Sequence, residues 1–213
     1  MEVTNPNVDE YLRELLKLHD EPVLLEMENH ARERNFPIVG RLVGVVLEIL
    51  ARSIDAKRIF ELGSGYGYSA YWFSRAVGED GEIQMTDGDA ENERKAADYL
   101  GRAGLDKPTR FHVGDAVHTL QETEGSFDIV FNDIDKWEYP AAWAAARDRI
   151  RPGGLYICDN TLSWGSAFVP TSEGGPADWL EAVRRHNEEI FGDQDFLSTI
   201  LPIRDGVLVA RRA

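Results

Sequence analysis

Apolar residues at helical spacing dominate the first third of the chain. One stripe comprises Tyr11, Leu12, Leu15, Leu16 and Leu18, and a second comprises Val43, Val46, Leu47 and Leu50. Residues three and four positions apart share one face of a helix, so each stripe predicts an amphipathic helix. Pro22 and Pro37 lie between the stripes and mark helix starts or breaks. The pattern therefore predicts a helical segment over residues 1–56.

From Lys57 onward, apolar segments of strand length alternate with segments of helical spacing. The predicted strands are 58–62, 82–86, 109–113, 127–132 and 154–158, and the predicted helices are 67–77, 90–103, 115–122, 137–150 and 176–191. Such alternation indicates an α/β fold, in which helices cover both faces of a parallel sheet. Near the end, apolar segments 196–203 and 207–211 flank Asp205-Gly206, and this pair predicts an antiparallel hairpin.

Length and composition favour a single domain over residues 1–213, with the helical segment 1–56 preceding an α/β core at 57–213. The 213 residues are 43% hydrophobic, enough for a large core. We expect no membrane span, because no run of 18 apolar residues occurs, and no secretory signal is visible at the N-terminus. The single cysteine, Cys158, lies in an apolar run and indicates a reducing compartment. A cytoplasmic protein is expected.

The chain is strongly acidic. Its formal net charge is −15, with 38 Asp and Glu against 23 Lys and Arg. A field of this sign repels nucleic-acid phosphates and anionic membrane surfaces. We therefore expect a small-molecule partner rather than a nucleic acid or a membrane.

The segment RIFELGSGYGYS, residues 58–69, predicts a strand, a glycine-rich loop and the start of a helix. Gly63, Gly65 and Gly67 allow the backbone to approach a nucleotide closely, although a plain tight connection would use the same residues. The dinucleotide fingerprint needs a glycine where Tyr68 stands. The carboxylate of Glu61 would repel a pyrophosphate but attract a cation. These features favour S-adenosylmethionine, which carries sulfonium and ammonium groups.

Acidic residues stand where four of the predicted strands end. In a parallel sheet these ends meet at one crevice, where ligands bind. Asp87 follows Gly63 by 24 residues, close to the spacing at which a carboxylate accepts hydrogen bonds from ribose hydroxyls, although a surface-loop role is the alternative. Asp89 competes for that role but better fits the cap of the helix at 90–103.

Asp133, Asp159 and Asn160 form a second group at two strand ends. Their oxygen atoms suit a hard cation such as Mg²⁺, although Asp and Asn also begin ordinary turns. Lys136 follows Asp133 by three residues, so one helical turn would bring its ammonium group over the metal. Beside a dication a lysine gives up its proton more readily and can act as a general base; a solvated lysine at a helix start is the alternative.

The motifs ELGSGYGYSA, DIDK, PGGLYICDNTL and LPIRDGVLVARR resemble those of the cation-dependent O-methyltransferases, the group of catechol and caffeoyl-CoA O-methyltransferases. The resemblance covers nearly the whole chain. It implies a class I methyltransferase fold, with N-terminal helices and a Rossmann-like sheet of seven strands, the last antiparallel. It also implies a divalent metal, usually Mg²⁺, and a homodimer. Asn132, Ile134 and Trp137 depart from the family's pattern.

The resemblance also implies roles for individual residues. The residues expected to contact S-adenosylmethionine are Glu61, Gly63, Ser69, Asp87 and Asp133, with Asp115 and Ala116 against the adenine. The expected metal ligands are Asp133, Asp159 and Asn160, and the expected base is Lys136. Trp137 and Trp164 are candidates for stacking on an aromatic acceptor.

These residues together predict an S-adenosylmethionine-dependent and metal-dependent O-methyltransferase that acts on a catechol-like hydroxyl. Three alternatives stay open at this point. One is a metal-independent methyltransferase with a nitrogen or carboxylate acceptor, which would not need the three metal-binding side chains. The others are an NAD-dependent oxidoreductase, which Glu61 and Tyr68 disfavour, and a non-catalytic nucleoside-binding protein.

Overall fold

The computed structural model describes residues 6–17, 20–163 and 177–213. Its helices are α1 (Pro6–Leu16), α2 (Pro22–Arg34), α3 (Gly40–Ser53), α4 (Tyr68–Val77), α5 (Ala90–Ala103), α6 (Ala116–Glu122), α7 (Tyr139–Ala146) and α8 (Ala177–Gly192). Its strands are β1 (Arg58–Leu62), β2 (Glu82–Asp87), β3 (Thr109–Val113), β4 (Phe127–Asn132), β5 (Ile150–Cys158), β6 (Phe196–Leu201) and β7 (Val207–Arg212). The predicted α/β class is confirmed.

The seven strands form one sheet in the order β3-β2-β1-β4-β5-β7-β6. Strand β1 pairs in parallel with both β2 and β4, while β7 runs antiparallel to both β5 and β6. The predicted antiparallel ending is therefore confirmed. The order of the strands reverses between β1 and β4, and this switch point is where open sheets bind their ligands.

Apolar side chains cover both faces of the sheet. On one face, Leu24 of α2 and Leu47 of α3 belong to the same buried cluster as Ile59 of β1 and Phe73 of α4. A second cluster on the other face includes Phe60, next along β1. Alternate residues of β1 point to opposite faces, so a strand covered on both sides is apolar at nearly every position. The N-terminal helices thus share a core with the sheet.

Several boundaries differ from those predicted, each for a local reason. Strand β6 ends at Leu201 rather than at residue 203, since Pro202 has no N–H to donate to a neighbouring strand. Strand β5 begins at Ile150, four residues before the prediction, and its pairing with β4 is irregular between Phe127 and Ile129. The predicted helix at 137–150 is a short helix, α7, between two 3₁₀ turns.

Two predictions made from the composition, on the cysteine and on a membrane span, can be compared with the described residues. Cys158 is buried and is not in a disulfide, as expected for a core residue. Across the described segments, every helix is too short or too polar to span a bilayer. Residues 164–176, between β5 and α8, lie outside the described residues.

Substitution of Gly44 by Ala tests the packing of α3 against α4. An added Cβ atom would overlap the indole ring of Trp72, which is buried and rigid. We expect Gly44→Ala to lower the free energy of unfolding by about 1–3 kcal/mol in urea denaturation. The matched control is Gly101→Ala in α5, where no atom lies within 4 Å of the added Cβ. There the better helix propensity of Ala should raise the unfolding free energy by about 0.5–1 kcal/mol. Equal effects of the two substitutions would contradict this account of the α3–α4 contact.

Candidate functional site

A cavity of about 520 Å³ opens at the carboxyl ends of the parallel strands, beside the switch point. Its lining includes eight residues predicted for the site: Gly63, Ser69, Asp87, Asp115, Ala116, Asp133, Lys136 and Asn160. The two other predicted residues, Glu61 and Asp159, do not line it and are buried next to lining residues, with exposed fractions of 0% and 1%. The fold thus brings together side chains that lie up to about a hundred positions apart.

The glycine-rich loop lies between β1 and α4 and forms one wall of the cavity. Gly63, Gly65 and Gly67 all have positive φ, at 81°, 49° and 89°. Glycine is needed at position 63 for a second reason, because an added Cβ would lie 2.6 Å from the carbonyl oxygen of Asp133. The loop therefore fits tightly against the residue that follows β4.

Glu61 lies beneath this loop, at the end of β1. The Ser64 hydroxyl donates a 2.8 Å hydrogen bond to its Oε2, while its Oε1 has no partner. Burial raises the pKa of Glu61 to about 7, and hydrogen bonds from Ser64 and Ser69 oppose that rise. A carboxylate with one unpaired buried oxygen favours a cationic group nearby; the contact of Glu61 with the methyl donor stays a prediction.

Asp87 ends β2 and faces the cavity. Its Oδ1 accepts hydrogen bonds from the Asp89 N–H at 2.8 Å and the Asn92 Nδ2 at 3.0 Å, and its Oδ2 accepts from the Gly65 N–H at 3.1 Å. A carboxylate has about four lone-pair sites, so about one remains open. Two ribose hydroxyls could both bind only if one of these bonds is shared or exchanged. Asp89 caps α5 by accepting from the Glu91 N–H, as predicted.

The two residues predicted to lie against the adenine are at the start of α6. Asp115 caps this helix, accepting a 2.6 Å hydrogen bond from the His118 N–H, and Ala116 follows in the first turn. Both residues line the cavity beside Asp87. Ser69, in the first turn of α4, lines the same cavity.

Asp133, Asp159 and Asn160 meet where β4 and β5 end. The Asp133 side chain is partly exposed to the cavity, whereas Asp159 is buried and its Oδ1 has no hydrogen-bond partner. The Asn160 Nδ2 donates a 2.5 Å hydrogen bond to the Asp205 Oδ2. This bond occupies the amide nitrogen of Asn160 and leaves its carbonyl oxygen as the group available to a cation.

The carboxylates of Asp133 and Asp159 repel one another, because too little positive charge lies near them. The surrounding protein raises the pKa of Asp133, and the neighbouring Asp159 raises it further. Burial likewise raises the pKa of Asp159, with Asp205 as the next cause, although Arg204 and Lys136 oppose both shifts. A hard dication would relieve this repulsion.

The donor set fits such a cation only when the amide is included. Among the described residues, no group of three or more His, Cys, Asp and Glu side chains is arranged to hold a metal ion. The third protein ligand would have to be the amide oxygen of Asn160, beside the two carboxylates. All three donors are then oxygen atoms, which suits Mg²⁺.

A buried chain of hydrogen bonds supports these strand ends from below. The Asn132 Nδ2 donates to the Tyr156 hydroxyl at 3.1 Å, and that hydroxyl lies 3.0 Å from the His186 Nε2. Burial lowers the pKa of His186 to about 4, so the neutral ring accepts from Tyr156 and donates through Nδ1 to the Asn187 Oδ1. The Asn187 Nδ2 then donates to the Thr161 carbonyl at 2.9 Å. The chain connects the residue before Asp133 with the residue after Asn160.

Lys136 lies in the 3₁₀ turn after Asp133 and lines the cavity, as the predicted base must. Its positive charge opposes the rise in the pKa of both Asp133 and Asp159, so it lies near both. Trp137 is half exposed and packs on Trp179, with ring centroids 5.4 Å apart, and is not among the cavity's lining residues. Stacking of Trp137 on an acceptor stays a prediction. Trp164 lies outside the described residues.

Two groups of residues outside the predicted site residues also contribute to the site. Phe36, Pro37, Ile38 and Val39, between α2 and α3, form a wall of the cavity. Arg204 and Asp205, in the connection between β6 and β7, contact Asp159 and Asn160. The sequence signal at Asp205 was the Asp-Gly pair, which predicts a turn and gives no sign of the partner side chain.

Comparison with known proteins supports one family. The O-methyltransferase family model matches residues 5–213. A catechol O-methyltransferase from Niastella koreensis is 31% identical over 201 residues, which cover 92% of this chain and 89% of that protein. A caffeoyl-CoA O-methyltransferase from Stellaria longipes is 28% identical, covering 97% and 85%. The O-methyltransferase TomG from Streptomyces achromogenes, solved with S-adenosylmethionine, has a TM-score of 0.85 and 30% identity, covering 97% and 96%. These similarities oppose the oxidoreductase interpretation.

Substitution of Glu61 by Gln tests the electrostatic cost of the buried carboxylate. The pKa of Glu61 is about 7 in the folded protein against 4.5 for the ordinary group, so the ligand-free protein loses stability as the pH rises from about 4.5 to 7. We expect Glu61→Gln to raise the free energy of unfolding at pH 8 by up to about 3 kcal/mol and to change it little at pH 4.5. Denaturant unfolding at both pH values measures the difference. Glu124→Gln, at an exposed position, is the control and should show no such pH-dependent gain.

Proposed function

The chain belongs to the O-methyltransferase family, and from this premise we propose that it methylates a hydroxyl of a catechol-like aromatic acceptor with the help of a divalent cation. It is an S-adenosylmethionine-dependent O-methyltransferase of the catechol and caffeoyl-CoA type. One observation supports the finer proposal most directly. Asp133, Asp159 and Asn160 supply oxygen donors at the edge of the cavity whose lining includes the predicted nucleoside residues.

The residues around the cavity support a proposed position for each part of S-adenosylmethionine. Asp87, held by three protein hydrogen bonds, would accept from the ribose, and Asp115 with Ala116 would lie against the adenine. The negative charge of Glu61 beneath the glycine-rich loop would favour the cationic end of the donor. S-adenosylmethionine supplies the methyl group, which its positive sulfur makes a good electrophile.

Asp133, Asp159 and Asn160 would hold the divalent cation, with Mg²⁺ as the expected ion. Such a cation would supply Lewis acidity, which would make the acceptor's hydroxyl more acidic. The protein's own contribution is to fix the donors. The Asp205 carboxylate holds the Asn160 amide, and the Tyr139 hydroxyl donates a 2.9 Å hydrogen bond to the Asp159 carbonyl.

Lys136 would take the proton from the reacting hydroxyl. As the acceptor oxygen bonds to the methyl carbon, the carbon–sulfur bond breaks, its electrons stay on sulfur, and the hydroxyl proton passes to the Lys136 Nζ. An in-line displacement of this kind gains most of its acceleration from orientation of the two reactants. The walls that orient them would include the glycine-rich loop and Phe36.

A metal-independent transfer to a nitrogen or carboxylate acceptor is the second candidate. It is favoured by one observation: the Arg204 guanidinium lies 4.0 Å from the Asp159 carboxylate, so a protein cation already compensates part of the negative charge there. Turnover that survives EDTA would favour this candidate over the first.

Three further predictions from the sequence stay proposals. A single methyltransferase domain over 1–213 is supported by the core that α2 and α3 share with the sheet. A homodimer is supported by the exposed apolar side chains of α1, namely Val8, Tyr11, Leu12 and Leu15. A cytoplasmic location is supported by the buried free Cys158.

A pair of substitutions separates donor binding from cation chemistry. Asp159→Ala should lower metal-dependent turnover by about 100-fold or more, because a cation ligand is lost, while the affinity for S-adenosylhomocysteine changes little. Asp87→Ala should weaken that affinity by about 10-fold to 100-fold, because charge-assisted hydrogen bonds are lost. Calorimetry with S-adenosylhomocysteine and methyl-transfer assays on catechols, with and without Mg²⁺, measure both effects. If Asp159→Ala removed nucleoside binding as well, misfolding rather than loss of a ligand would explain it.

Substitution of Lys136 by Met tests the proposed base. Removal of a positioned general base should lower kcat by about 100-fold to 10,000-fold, with the affinity for S-adenosylhomocysteine unchanged. The control is Lys107→Met, which removes an exposed lysine that pairs with Glu79 at 2.7 Å. Lys107 precedes β3, at the amino ends of the parallel strands, whereas the cavity lies at their carboxyl ends. The base assignment is wrong if both variants turn over at the wild-type rate.

A further inference from the structure

A second cavity, of about 840 Å³, lies between α1, α2 and the segment that leads into α3. It shares Phe36, Pro37 and Ile38 with the cavity proposed for the methyl donor. These residues therefore separate the two spaces. The second cavity therefore adjoins the first.

The charge of the second cavity is opposite to that of the protein. Its lining contains five cationic residues (Arg13, Lys17, Arg32, Arg41 and Arg204) and two anionic ones (Asp20 and Glu28), in a chain whose net charge is −15. Arg41 is neutralised by the two anionic residues, since it pairs with Asp20 and donates to Glu28 at 2.9 and 3.0 Å. Of the other four, Lys17 pairs with Glu14 and Arg204 lies 4.0 Å from the Asp159 carboxylate, so Arg13 and Arg32 contribute most of the positive excess. An acidic protein that binds an anion needs such a local reversal of charge.

Arg204 lies between this cavity and the carboxylates of Asp133 and Asp159. Its guanidinium donates to the carbonyl of Ile38 at 2.9 Å and to that of Val39, and its Nη1 lies 4.0 Å from the Asp159 Oδ2. A group that contacts Arg204 would thus lie within the length of one small aromatic molecule of the proposed cation ligands.

The backbone at Arg204 supports a role beyond the turn itself. Its φ is 53°, in the left-handed region where glycine is the unstrained choice. A long charged side chain at such a position costs free energy and persists where the surroundings hold it, which is common at ligand sites. Glycine would make this turn at lower cost but would leave the junction without a cation.

We propose that the second cavity binds an anionic substituent of the acceptor, and that Arg204 selects aromatic diols carrying a carboxylate. This inference rests on the proposed function, because it names the substrate class of that same site. The diol would face Asp133, Asp159 and Asn160, and the carboxylate would face Arg204, with Arg13 and Arg32 further along the cavity. A guanidinium matches a carboxylate in shape and charge, so the contact gives both affinity and orientation.

The test compares 3,4-dihydroxybenzoate with 3,4-dihydroxybenzamide, which has the same shape but no charge. Wild-type protein should show the higher kcat/KM with the benzoate. In Arg204→Gly, whose backbone suits glycine, the ratio of the two kcat/KM values should fall by about 10-fold to 100-fold. A ratio is used because loss of Arg204 beside Asp159 can change both rates together. Arg110→Ala on β3, which removes an exposed positive charge away from both cavities, should keep the wild-type ratio.

Two further measurements keep the outcome decisive. Calorimetry of both acceptors, with S-adenosylhomocysteine and Mg²⁺ present, measures the preference for the benzoate over the benzamide without turnover. It therefore distinguishes failure of this inference from failure of the proposed methyl transfer. The double variant Arg13→Ala with Arg32→Ala, at exposed positions, replaces Arg204→Gly if that variant does not fold, and should lower the same ratio. A wild-type protein that binds the benzamide as tightly as the benzoate, or a ratio unchanged in these variants, would overturn the inference.

Discussion

The parallel pairing of β1 with β4 is the interaction on which both parts of the site depend. Leu62 lies opposite Asn132 in this register, and the Asp133 N–H donates a 2.8 Å hydrogen bond to the Leu62 carbonyl. The two loops that follow these strands therefore leave the sheet side by side. Only glycine at position 63 allows this approach, because any Cβ there would collide with the Asp133 carbonyl. The loop proposed for the methyl donor and the first proposed cation ligand are thus fixed by one contact.

Buried negative charge is the second constraint on the molecule. Glu61, Asp133 and Asp159 all have raised pKa values because protein surrounds them, and the two aspartates also repel one another. Carboxylates in this state lower the stability of the ligand-free protein. A cationic methyl donor and a divalent cation would compensate them, so binding and stability are coupled at this edge of the sheet.

The remaining polar groups explain how the arrangement keeps its shape. The hydrogen-bonded chain from Asn132 through Tyr156 and His186 passes to Asn187 and ends at Thr161, so α8 connects the ends of β4 and β5. The Asn132 Oδ1 has no partner, but the linked donors and acceptors of this chain restrict the groups above them to few arrangements. The positive side chains that line the second cavity make the local charge positive there, in a chain whose net charge is strongly negative.

The sequence by itself determined the elements and eight of the residues that line the cavity. Apolar segments of strand length and helical spacing predicted the strands and helices to within a few residues, and motif spacing identified Asp87, Asp133, Lys136 and Asn160, which line the cavity. Only the tertiary structure decided the depth of Glu61 and Asp159 and the contribution of Arg204. These depend on contacts between segments distant in the chain, such as that of Arg204 with the Ile38 carbonyl. Local patterns carry no information about such contacts, because the same Asp-Gly turn forms whatever lies opposite it.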